Sequence, residues 1–337
     1  MPYAPAPPPP MQYGDPKPGI VPLRPLGLSD VLGGAWHAIW HNPKAVLGLP
    51  ALILVLASVI GTLIGLAVNT AILQWLTGFL NQGELGPALA ELHLTIPELI
   101  GSVGPSAGSG FISELVKPII IGLLAVAISQ SVLGNRISTG DAWRRVAGRI
   151  GALIGWTFLS VIAAVIILTL GSLAVFGLTY VSSQLSAGFA VFIAVITTLG
   201  LLALVLWLGM RLLFVPVIIV VEKATIGQAI RRSWELSRGN FWRILGIYLL
   251  ATLILIVVSI FVAMPFTAIA AGLGIGGGIV GPTVVNLISS IISSLISLVF
   301  TAGVTTLLYL DCRMRDEGLH NSLIAATNNP TQFPATL

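Results

Sequence analysis

Residues 222 to 248 read Glu222-Lys-Ala-Thr-Ile-Gly-Gln-Ala-Ile-Arg-Arg-Ser-Trp-Glu-Leu-Ser-Arg-Gly-Asn-Phe-Trp-Arg-Ile-Leu-Gly-Ile-Tyr248, and the fold turns on how this stretch is read. At about 100° per residue, Gln228, Arg231, Arg232, Glu235 and Arg238 share one arc, while Ala229, Ile230, Ser233, Trp234 and Ser237 share the opposite one. A helix with cations and a carboxylate on one side, and tryptophan with aliphatics on the other, suits a membrane interface. The pairs Arg231/Glu235 and Glu235/Arg238, one helical turn apart, reinforce it modestly. Gly239-Asn240 is expected to end the helix, which places Phe241-Trp242-Arg243 in an aromatic belt at headgroup level. A soluble charged helix does not fit, because the next charge after Arg243 is Asp311.

The composition extends this reading to the whole chain. Only 8% of the residues are charged while 56% are hydrophobic, too few charges to solvate a globular surface of this size. The expected class is therefore an all-α polytopic membrane protein. Residues 150 to 210 and 244 to 310 contain no Asp, Glu, Lys or Arg. Each run is too long for one spanning helix of about 20 residues and right for two joined by a turn. A β-barrel would instead show alternating ten-residue strands. Further spans are expected at Ala45 to Leu73 and from Phe111 or Pro118 to Leu133, which brings the total to six. Gly61 and Gly65 in the first span have close-packing spacing. The single Cys312 excludes an intramolecular disulfide framework.

Taken in order, residues 1–25 are too proline-rich for a helix and are expected as a retained, disordered spacer, a plain tail rather than a ligand for a proline-binding partner. The membrane domain occupies 26–318 and a polar tail 319–337. Residues 74 to 115 carry Glu84, Glu91, Glu98 and Glu114 with no Lys or Arg, and are expected as an extracytoplasmic loop with short helices at Leu85 to Leu92 and Thr95 to Ile100. The opening junction recurs. Trp36, Asn42 and Gly48 match Trp234, Asn240 and Gly246 at one fixed offset, and Gly140-Asp-Ala-Trp-Arg-Arg matches Gly227-Gln-Ala-Ile-Arg-Arg. Three units follow, at about 26–134, 135–221 and 222–312, each an interfacial helix leading into a two-span hairpin. In a six-span arrangement nearly all cations fall on one side, Lys117 being assigned to the other, so both termini are expected to face the cytoplasm of a bacterial plasma membrane.

The stretch Arg231 to Arg243, the exit motif Leu308-Tyr-Leu-Asp-Cys-Arg-Met-Arg-Asp-Glu-Gly318 and the entry Leu26-Gly-Leu-Ser-Asp resemble the bacterial glycerophosphoryl diester phosphodiesterase membrane-domain family, especially its actinobacterial members. That resemblance implies a multi-pass domain that elsewhere precedes a soluble phosphodiesterase barrel. The barrel is not found here, so its activity is not expected to carry over. Two departures stand out: Gly33-Gly34 occupies the place of Arg-Arg in the other copies, and Cys312 stands where an aliphatic residue is expected.

Candidate residues follow from the junctions. Arg144 and Arg145 of the middle unit, with Arg231, Arg232 and Arg238 of the last, are expected to bind anionic phospholipid headgroups. Arg211 is the one charge inside a predicted span. A span ending at Val221 would bury it and require a partner, whereas a break at Pro216 would let it snorkel to the interface, the favoured reading. Ser289, Ser293 and Ser297 form a stripe on the last span, read as helix packing in preference to a polar conduit. His37 and His41 beside Asp30 lack the Glu that gives such spacing its metal-binding meaning. No metal, cofactor or nucleic acid is expected, nor any nucleophile or phosphate-loop chemistry. The function expected is thus a non-enzymatic protein binding anionic lipid, and with it a membrane-protein partner, in envelope or lipid homeostasis. The alternative is a transporter-like protein moving a lipid or amphiphile among the hairpins.

Overall fold

The computed structural model describes residues 20–22, 24–41, 43–81, 96–132, 137–274 and 280–317. The proline-rich tail up to residue 19, the helix expected at Leu85 to Leu92 and the tail 319–337 lie outside the described residues. The chain is all-α, with no strand among the described residues, and six of its helices are long and apolar enough to cross a membrane. It is a polytopic membrane protein.

Helix α1 (Leu28–His41) leads through Pro43 and a π-helical turn (Lys44–Gly48) into α2 (Leu49–Asn81). Then come α3 (Ile96–Val132), the short amphipathic α4 (Thr139–Ala147), α5 (Ile150–Ser183) and α6 (Ala187–Leu212). A short α7 (Val215–Val221) precedes the long α8 (Ile226–Gly274) and α9 (Val280–Asp316). The order short, long, long occurs three times if the first part of α8 is counted as a short helix, with α7 as an addition. The bounds of the segment between the first two spans differ from the sequence reading. Residues expected to leave the membrane after position 73 and before 111 are partly helical, since α2 runs on to Asn81 and α3 already begins at Ile96. The helix end expected at Gly239-Asn240 is present as a kink inside α8: Asn240 leaves helical geometry, at φ −116° and ψ 16°, and separates the amphipathic first part from the spanning part.

The core lies at one end of the bundle. On α3 the residues from Ile120 to Val132 are almost all buried, as are all seven residues of α7 and nearly everything on α9 from Leu298 to Met314. Helix α7 is uniformly apolar, Val215-Pro-Val-Ile-Ile-Val-Val221, and such a helix must be covered on every side. Pro216 sits in its first turn, where the missing N–H is harmless. Its neighbours are α3 and α8. Gly122 permits the approach, since a β-carbon there would lie 2.7 Å from Val220 Cγ2 and 3.4 Å from Leu153 Cδ1. Gly61 and Gly65 are buried on α2, which runs along α3.

Helix α1 packs on α9 by the same device. A β-carbon on Gly303 would lie 2.9 Å from Ala35 Cβ, and one on Gly34 would overlap Val21 and reach within 2.9 Å of Leu307 Cδ1. The absence of arginine at position 34 thus has a packing cause. The hairpin α5–α6 contrasts with this end: none of the most apolar window of α5 is buried, and 6% of that in the α6 region, against 56% for α3. Leu170, Leu173, Phe176, Val191 and Leu199 are all exposed, as lipid-facing positions should be.

Candidate functional site

The cations gather at the core end, and they divide by whether a carboxylate already holds them. The exit motif of α9 holds several. Asp311, 1% exposed, accepts hydrogen bonds from the Leu26 backbone N–H at 2.7 Å, Arg243 Nε at 3.1 Å and Arg315 Nε at 3.0 Å. Both guanidinium groups also donate to the Leu26 carbonyl, Arg315 at 3.3 Å. One buried carboxylate therefore fastens the entry of the domain to the start of its fifth span and the end of its sixth. Alongside runs a second network: Tyr309 Oη donates to Glu222 at 2.6 Å, Arg313 donates to Tyr309 Oη at 3.1 Å and to Glu317 at 3.0 Å, and Arg232 bridges Glu317 and Glu222. Asn240, at the bend of α8, reaches Asp316 at 3.3 Å.

Sorted this way, the expected headgroup residues behave differently from one another. Arg232 is half-buried between two carboxylates. Arg144 pairs on the surface with Asp141, and Arg231 with Glu235 at 2.9 Å. Ser138 caps α4: its Oγ accepts from the Asp141 N–H, and its hydroxyl donates to the Asp141 carboxylate at 2.6 Å. The Ser138 hydroxyl first, and Arg144 second, hold the Asp141 carboxyl below the usual aspartate range. Arg145, Lys223 and Arg238 are exposed and Arg149 is half-buried, and none of the four makes a salt bridge among the described residues.

Arg211 lies one residue before the end of α6, inside the apolar segment Ala187–Val221, and its guanidinium is enclosed by rings. Trp207, Trp234 and Phe241 lie 5.6, 5.3 and 5.4 Å from it, with Ser237 Oγ at 3.5 Å, and Nε has no partner. Three aromatic faces substitute for a carboxylate. Ser233 closes the break between α6 and α7 by donating to the Arg211 carbonyl at 2.7 Å and accepting from Phe214 N–H at 3.3 Å. The small residues Ala229, Ser233 and Ser237 thus face protein, and the inner face of the amphipathic helix meets α6 and α7 where lipid was expected.

Two cavities complete the picture. One of about 280 Å³ lies between α3, α4 and the end of α7, lined by Val126, Ser129, Gln130, Arg145, Val220, Val221 and Lys223. The other, about 530 Å³, lies among α2, α3, α8 and α9. Its wall is largely apolar but carries several hydroxyls, Ser58, Ser293, Ser297, Thr301 and Thr305 among them, together with the paired Glu114 and Lys117. The serines read as a packing stripe therefore divide: Ser293 and Ser297 border open space, while Ser289 is 7% exposed and does not line it.

Residues 26–311 match the family described as a domain of unknown function (DUF7847). The chain belongs to that family. No curated protein and no solved structure matches it.

The DUF7847 match begins at Leu26 and ends at Asp311, the two residues joined by the buried clamp. In this DUF7847 chain the residues that sequence reasoning missed as a site are Asp311, Tyr309, Arg313, Glu317 and Glu222, which it read only as parts of the exit motif, the opening stretch or the orientation signal. Their spacing was a usable signal, since Asp311/Arg315 and Tyr309/Arg313/Glu317 repeat at four residues on one helix. Lys223 was counted among the cations, but its left-handed backbone, at φ 54°, has no trace in the sequence.

Proposed function

We propose that this is a non-enzymatic membrane protein of a bacterial plasma membrane whose basic end faces the cytoplasm and binds anionic lipid. The element order is read as three related units that point the same way. One observation carries the proposal: among the described residues Arg145, Arg149, Lys223 and Arg238 make no salt bridge, and they share an end with exposed tryptophans at Trp36, Trp40, Trp143 and Trp242. Unpaired cations among interfacial rings attract headgroups at about 1 kcal/mol each, falling with salt. The resemblance to a phosphodiesterase membrane domain fits a place in lipid or envelope homeostasis, with a protein partner as an open role for the exposed α5–α6 hairpin.

Orientation is tested first. Cys312 is 1% exposed, so the native thiol reports burial instead of sidedness. Gly148→Cys, where a β-carbon meets nothing within 4 Å, should react with an impermeant maleimide in inverted vesicles only. Leu185→Cys, 75% exposed between α5 and α6, should react in spheroplasts only. The reverse pattern would turn the basic end outward and end the proposal.

Lipid binding is tested by native mass spectrometry of protein released from mixed phosphatidylglycerol and phosphatidylcholine. Arg145→Gln with Arg238→Gln should lower phosphatidylglycerol retention severalfold, at about tenfold per 1.4 kcal/mol. Arg144→Gln with Arg231→Gln should do much less, because those cations are already paired. Equal effects of the two variants would reduce the basic end to a topology signal. The second reading, transport of an amphiphile, is favoured by the hydroxyl-bearing cavity alone. Filling that cavity by Ser293→Trp should leave phosphatidylglycerol retention intact; a loss as large as that of the arginine variant would move the site into the bundle and favour transport.

A further inference from the structure

The pocket between α3, α4 and α7 is polar with one sign of charge. Arg145 and Lys223 line it with Ser129 and Gln130, no carboxylate is among its lining residues, and Val126, Val220 and Val221 form the apolar wall. Two details go beyond a solvated basic surface. Ser129 is 3% exposed and its hydroxyl has no hydrogen-bond partner, whereas Ser131 on the same helix donates to the Ala127 carbonyl at 2.9 Å in the usual way. An orphan hydroxyl against a cavity is a donor without an acceptor. Lys223 follows Glu222, the C-cap of α7, and is the only described non-glycine residue at positive φ. That helix-ending position usually takes glycine or asparagine, so a lysine there accepts backbone strain in exchange for a cation at the rim. Cations near the ends of α3 and α7 also complement their terminal carbonyls. This complement explains charge, but neither the orphan hydroxyl nor the strain.

We infer that this pocket binds a phosphomonoester dianion, presented either by a membrane lipid or by a soluble phosphate ester. The lipid source rests on the anionic-lipid reading above. A monoester carries about −1.5 to −2 charges at neutral pH and three strong acceptor oxygens, which suits two fixed cations with a hydroxyl and an amide; a diester brings a single charge. The volume, about 280 Å³, is at the lower edge for small-molecule sites and fits a headgroup, leaving acyl chains outside.

The test uses the full chain, equilibrated with equimolar phosphatidic acid, phosphatidylglycerol and phosphatidylcholine, with retained lipids counted by native mass spectrometry. Separately, the Tm is followed with inorganic phosphate against chloride at equal ionic strength. Wild type should retain phosphatidic acid about tenfold over phosphatidylglycerol, as one extra charge-assisted hydrogen bond would give. Lys223→Gly, Arg145→Gln and Ser129→Ala should each bring that ratio towards unity. Lys223→Gly relieves the strained backbone and Ser129→Ala removes an unmade hydrogen bond, so neither should lower Tm in the absence of ligand. Arg238→Gln, outside the pocket, should reduce both anionic lipids and keep their ratio. An unchanged ratio in Lys223→Gly and Arg145→Gln overturns the pocket while the general anionic-lipid reading survives, and a fall in Tm with that unchanged ratio marks Lys223 as a helix-end charge only. A wild-type protein that retains no anionic lipid yet gains Tm with inorganic phosphate, the gain being lost in Lys223→Gly, sinks the lipid reading and assigns the pocket to a soluble ester. No lipid preference and no gain in Tm with phosphate overturns the inference outright.

Discussion

Asp311→Asn should remove most of the folded protein from detergent extracts, at a cost of about 3–5 kcal/mol, the range for breaking a buried ion pair from one side. The carboxylate is 1% exposed and accepts from two arginines and a backbone amide. Asparagine keeps one acceptor oxygen and turns the other into a donor, which then faces donors. Arg243 and Arg315 would be left in a half-buried site with only the Leu26 carbonyl between them. Arg315→Gln alone should cost less, because Arg243 and Leu26 still satisfy the acid. Added to Asp311→Asn, it should cost almost nothing more, since the partner it removes has already lost its bond. Thermal unfolding in detergent reads all three, and a Tm for Asp311→Asn within a few degrees of wild type would show that the clamp is ornamental.

A pair of substitutions on adjacent glycines should diverge almost completely. Gly33→Arg restores the residue type of the other units at a position where a β-carbon meets nothing within 4 Å, and should leave stability within about 0.5 kcal/mol. Gly34→Arg drives a side chain into Val21 and Leu307, both 1% exposed or less, and buries a charge with them. A loss of at least about 3 kcal/mol is expected, from overpacking together with an unpaired buried cation. Equal expression and Tm for the two variants would mean that α1 does not dock on α9 as described.

The six spans were legible because charge-free runs have few physical meanings, and the outer ends of the α5–α6 pair, Ile150 and Leu212, fall at or close to the ends of the charge-free run 150 to 210. The amphipathic arcs of the 226–238 segment were legible as well, since Arg231, Glu235 and Arg238 are exposed and Ala229, Ser233 and Ser237 buried. What covers the inner arc was not. A helical period tells which residues share a face, but not whether lipid or a neighbouring helix meets it. The same gap explains Arg211, whose partners Trp234 and Phe241 come from another helix. It also explains why five arginines could be offered as one headgroup site. Glu222 and Glu317 are far apart in the chain, and only the fold brings both to Arg232.

The clamp between Leu26 and Asp311 joins residues 285 positions apart, and this sets a timetable for synthesis. At about 5–20 residues per second, a nascent chain makes Leu26 about 15–60 seconds before the carboxylate that will hold it. During that interval the entry segment and Arg243 have no permanent partner, and the earlier spans can pair along their lengths but cannot be locked. Among the described helices, the last to leave the ribosome is the one that fastens the first. A chain that stops short of it therefore carries an open seam at the core end, recognisable as unfinished by whatever surveys new proteins in that membrane.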